Sequence, residues 1–90
     1  MSNTYELDLE APESFEFNAA GHTYRMRYAT TEETLALDTM SDIEAVKVLI
    51  SLISPVSENA PNFEDLVKGK NQVIYGRLSQ MYYQATQKAL

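Results

Sequence analysis

The 90-residue sequence has no cysteine, no tryptophan, one histidine, three glycines and three prolines. Without cysteine there is neither a disulfide framework nor a thiolate metal site, and the single His22 cannot complete a ligand set. That usage suits a reducing cytoplasm. No Gly-rich phosphate loop, nucleophile elbow or metal-ligand pair occurs, so no cofactor is expected. The longest apolar-rich run, 43–53, is too short to cross a bilayer and contains Glu44 and Lys47. The opening residues lack the basic, apolar and small-residue order of a signal peptide, so no membrane association is expected.

Base is scarce as well. The net charge is −6, and residues 1–20 carry Glu6, Asp8, Glu10, Glu13 and Glu16 with no base. Residues 66–90 carry Lys68, Lys70, Arg77 and Lys88 with no acid. Direct nucleic-acid binding needs a concentrated basic surface, so it is not expected. The acidic end reads as a solvated, solubilising segment. Its sharper reading is a docking arm for a basic partner, or for the basic end of a neighbouring copy.

What remains is apolar material, 44% of the chain, enough for one thin-cored domain that buries about 60% of its unfolded surface. In "TYELDLEAPE" Tyr5, Leu7 and Leu9 alternate with Glu6, Asp8 and Glu10, which is strand periodicity until Pro12. This segment, 1–13, reads either as an edge strand or as an arm ordered on a partner. The domain proper is expected over 14–90.

"SFEFNAAGHTYRMRYA" predicts an antiparallel hairpin over 14–28. A turn at Ala19–His22, with Gly21 supplying positive φ, sets Phe17 against Tyr24 and Phe15 against Met26. The same register sets Glu16 against Arg25 on the other face. His22 falls near the turn, with no carboxylate or nucleophile close in sequence, and carries no expected catalysis.

Helices follow, giving an α+β, mainly α fold. Thr30 with Glu33 and Ser41 with Glu44 offer capping boxes for helices over 31–39 and 42–54. Pro61 opens a short helix over 61–68 that stops at Gly69. A last helix over 71–89 sets Ile74, Tyr75, Leu78, Met81, Tyr82, Ala85 and Ala89 within an arc of about 120°. The remaining acids, Glu32, Glu33, Asp42 and Glu44, are explained by helix starts, so no paired-carboxylate catalysis is expected.

The helix over 42–54 is the unusual element. On a wheel its polar residues Glu44, Lys47, Ser51 and Ser54 crowd into about 80°, and apolar residues occupy about 220°. A surface helix normally shows a stripe a little above 100° wide. The cover is either the rest of this chain or a second chain along an open flank, for which Val48 and Leu52 are the candidates. Tyr83 lies well off the apolar arc of its own helix and is the third candidate contact residue.

The order of features, an aromatic "FEFNAAGHTYRMRY" hairpin, a "TTEETLAL" helix start, an apolar helix and a tyrosine-bearing C-terminal helix, resembles the small tail assembly chaperones of long-tailed bacteriophages. The resemblance runs over roughly residues 14–90. It implies a protein of the bacterial host or prophage cytoplasm that binds the long tape-measure protein and keeps its apolar helical segments soluble. It also implies recruitment of tail-tube subunits, and no catalytic residues. Homo-oligomer formation is a second way to cover the apolar flank. The rival reading is an acidic inhibitor or nucleic-acid mimic, in which Glu6, Asp8, Glu10, Glu13 and Glu16 imitate phosphates in a basic groove of a host factor.

Overall fold

The computed structural model describes residues 4–90. The hairpin forms as β1 (Ser14–Ala19) and β2 (His22–Arg27), in the register the two faces demand: Phe17 opposite Tyr24, Phe15 opposite Met26, Glu16 opposite Arg25. Its two-residue turn places Ala20 and Gly21 at φ 51° and 77°, as a primed turn matched to strand twist requires. Glycine accepts that conformation without steric cost, whereas Ala20 holds it against its own Cβ.

Four helices follow: α1 (Thr31–Leu37), α2 (Asp42–Ser51), α3 (Phe63–Val67) and α4 (Gln72–Ala89). The fold is therefore α+β and mainly α, as expected. At Thr30 the capping box is complete, with the hydroxyl accepting from the Glu33 N–H and the Glu33 carboxylate accepting from the Thr30 N–H. At Ser41 only the hydroxyl half is made, to the Glu44 N–H at 3.3 Å. The short helix starts at Phe63 rather than Pro61, whose carbonyl instead accepts from the Tyr24 hydroxyl at 2.7 Å.

The helix expected over 42–54 is corrected at its end. It stops at Ser51, and Ile53–Pro55 form a third strand, β3, antiparallel to β2, in a sheet of order β1-β2-β3. The β2 backbone supplies the reason. Its outward groups need partners, and Leu52 C=O accepts from Arg27 N–H while Val56 and Ser57 N–H donate to Thr23 C=O. Pro55 is tolerated because β3 lies at the edge of the sheet.

The fully or nearly buried core is Tyr24, Met26, Leu49, Leu52, Phe63, Val67 and Leu78. Two aromatic trios tie the hairpin to the helices. Phe17 and Tyr24 meet Phe63 edge-on at centroid distances of 5.6 and 5.5 Å, holding α3. Phe15, Tyr28 and Tyr82 gather within 6.4 Å of one another and hold α4, where Tyr82 Oη accepts from Ala29 N–H and Tyr28 Oη donates to Ala85 C=O. Phe15, Phe17, Tyr24, Met26 and Tyr28 all take part in this packing or in the core. Phe15, Phe17 and Tyr28 stay half-buried.

Of the arm expected over 1–13, residues 1–3 lie outside the described residues. Residues 4–13 carry no helix or strand and are exposed throughout. The radius of gyration, 15.5 Å, exceeds the roughly 12 Å of a compact chain of this length, consistent with an arm standing off the domain.

Candidate functional site

The three candidate contact residues do not share one environment. Leu52 is 5% exposed and belongs to the core, so its assignment to an open flank is corrected. It sits at the C-cap of α2, where the chain turns into β3 and carries its side chain inward. Val48 is half-buried on α2, and Tyr83 is 65% exposed on α4. The wide apolar surface read from 43–54 therefore resolves into a shorter helix plus a strand, with Leu49 and Leu52 taken by the core.

Exposed apolar side chains lie elsewhere. On α4, Val73 (53% exposed), Gly76, Gln80, Tyr83 and Gln87 fall within about 80° of arc and form its outer face. That face carries no charge. At its middle, Gly76 has an ordinary helical backbone, and a Cβ added there meets nothing within 4 Å. The folded chain thus gains nothing from glycine at this position, although glycine costs about 1 kcal/mol relative to alanine inside a helix. The apolar arc read from the sequence leaves Gly76, Gln80 and Val73 outside it. The available signal was a glycine in a helix interior with no turn to explain it.

Two more exposed apolar residues sit on α1 and at the start of α2, Leu35 (63%) and Ile43 (71%). No residue of α1 is buried. Its anchor is polar: Arg27 forks onto Glu33 through Nη1–Oε1 at 2.9 Å and Nη2–Oε2 at 3.1 Å. The Arg27 hydrogen bonds, and then the Thr30 backbone N–H, hold the Glu33 carboxyl down at about 2. The same Glu33 hydrogen bonds push the Arg27 guanidinium up. On the sheet's outer face Arg25 pairs with Glu16 at 3.1 Å.

Two shallow grooves flank the sheet. One, of about 460 Å³, runs between β1 and the C-terminal half of α4 and is lined by Phe15, Phe17, Tyr28, Met81 and Ala85 among others. The second, of about 480 Å³, lies between α2 and α3 around Ile50, Ile53 and Phe63. Among the described residues no group of three His, Cys, Asp or Glu is placed to hold a metal ion, and no buried side-chain polar atom lacks a partner. Among them, too, no helix is long and apolar enough to cross a membrane. No family model, curated protein or solved structure matches the chain.

Proposed function

We propose that this chain is a non-enzymatic binding protein for an apolar helical segment of another protein, with the outer face of α4 as its docking surface. The client that best fits the resemblance of 14–90 is the tape-measure protein of a long-tailed phage or prophage, kept soluble in the host cytoplasm while the tail assembles. Tail-tube subunits are the second class of partner. The observation that carries the reading is the pairing of Val73 and Tyr83 with Gly76 between them on an uncharged face. Glycine lets a partner backbone come close, and tyrosine brings a large contact area at low entropic cost. An amphipathic helix laid on such a face is anchored at intervals of three, four and seven residues.

The test is co-expression with an apolar helical segment of a tape-measure protein, scoring the soluble fraction of that segment. Val73→Glu with Tyr83→Glu is expected to leave the circular dichroism spectrum unchanged and to abolish both solubilisation and co-purification. Leu35→Glu, on α1, is expected to keep both. If the double variant solubilises the segment as well as the native chain does, the reading is wrong.

The mimic reading loses one member of its charge set, because Glu16 is engaged by Arg25. Glu6, Asp8 and Glu10 remain exposed on the arm. Salt separates the two: binding through imitated phosphates weakens steeply with ionic strength, whereas apolar docking does not.

A further inference from the structure

The arm and the β1 edge are complementary, and nothing in the proposed function uses either. Tyr5, Leu7 and Leu9 are 90%, 81% and 86% exposed, so one whole side of a strand-patterned segment lies in water. The sheet order leaves β1 at an edge, and the register says which groups that edge presents. Thr23 and Arg27 bond towards β3, while Tyr28 N–H donates to Glu13 C=O on the other side. Antiparallel alternation therefore turns Ser14, Glu16 and Asn18 outward, with their N–H and C=O groups unpaired by any described strand. An open edge of this kind is a template for another strand.

The groove beside that edge has the matching chemistry. Its floor is apolar, from Phe15, Phe17, Tyr28, Met81 and Ala85, and Lys88 stands at its rim. A strand added to β1 puts alternate side chains over that floor and the others on the outer face beside Ser14, Glu16 and Asn18. Tyr5, Leu7 and Leu9 suit the first row, and Glu6, Asp8 and Glu10 the second. The arm's own β1 is a poor target. A tight reversal at Ala11–Pro12 lacks the glycine or asparagine that primed hairpin turns require.

We propose that residues 4–10 of one copy add as a fourth strand to the β1 edge of a second copy, in a reciprocal two-fold exchange of arms. Each copy then buries its partner's Tyr5, Leu7 and Leu9 in the groove between β1 and α4, and the dimer closes because both edges are used.

The absence of cysteine makes the test direct. The full chain is run by sedimentation equilibrium, and a single Asp8→Cys variant carries a nitroxide label. The labelled chain is mixed with an equal amount of ¹⁵N-labelled native chain. The expected result is a dimer, with paramagnetic broadening of the native chain's amides at Ser14–Asn18. Leu7→Glu sets a charge over the apolar floor of the groove, and is expected to weaken dimerisation by about tenfold or more with the fold unchanged. A native chain that is monomeric at millimolar concentration overturns the proposal. So does a dimer without broadening at β1, or one that Leu7→Glu leaves intact. Broadening seen only when label and ¹⁵N share one chain shows that the arm folds back on itself, and also overturns it.

Discussion

Replacing Leu52 by alanine tests the most consequential reassignment, from open flank to core. Leu52 is 5% exposed and packs in one cluster with Tyr24, Met26, Leu49, Phe63, Val67 and Leu78. Truncating a buried leucine costs about 2–5 kcal/mol, from lost transfer energy plus the cavity left behind. Because Leu52 lies where α2 turns into β3, some relaxation is available, and a loss of about 3 kcal/mol is expected. Against a total stability of roughly 5–13 kcal/mol for 90 residues this is a large fraction. Leu35→Ala makes the same chemical change on α1 at a residue 63% exposed, and is expected to cost less than about 0.5 kcal/mol. Urea melts followed by far-ultraviolet circular dichroism read both. With a slope near 1 kcal/mol/M, the Leu52 midpoint falls by about 3 M and the Leu35 midpoint scarcely moves. Equal costs for the two variants, or a larger cost at Leu35, would refute the placement of Leu52 in the core and with it the β2–β3 pairing.

Ala20→Asn places the preferred Asn-Gly pair in the hairpin turn, and should raise stability by about 0.5–1 kcal/mol in a thermal melt, since φ at position 20 is already positive. Glu33, held at about 2 by Arg27 and Thr30, contributes stability that is complete above the ordinary carboxylate range and is lost as pH falls through about 2. The protection of the Thr30–Leu37 amides, taken relative to their intrinsic exchange rates, should therefore hold at pH 4.5 and fall towards pH 2, and Glu33→Gln should show the lower protection at every pH. Gly76→Ala should stabilise the domain by about 1 kcal/mol in the same urea assay while weakening capture of a helical client, so that stability and binding move in opposite directions.

The hairpin was legible because two faces had to agree on one register: aromatic pairs inside and Glu16–Arg25 outside leave a single solution. Helix starts were legible at Thr30 and Ser41, where a hydroxyl precedes the first turn. The end of α2 was not. "LIS" satisfies a helical wheel and a buried strand equally well, and periodicity cannot separate them over so few residues. What decides is the demand of β2 for backbone partners, filled from a segment nearly thirty residues away. The arm was legible only as two alternatives, edge strand or free arm: its alternation is real, but residues 4–13 pair with no strand and lie exposed, and periodicity alone cannot say whether an edge is within reach.

The surplus of apolar residues that first made 43–54 look over-exposed is therefore relocated rather than removed. Leu49, Leu52 and Ile53 find cover inside the chain, through the core and through β3. The exposed large apolar residues are peripheral: Tyr5, Leu7 and Leu9 on the arm, Leu35 on α1, Ile43 at the start of α2, Val56 just after β3, Val73 and Tyr83 outside α4, and Leu90 after it. None belongs to the buried cluster, so each can be changed at small cost to folding. Had the open surface lain along Leu52, every substitution testing it would also have unfolded the domain. With α4's outer face and the arm on different parts of the surface, Tyr83→Glu and Leu7→Glu each leave the other's site intact, and client capture and self-association become separable experiments.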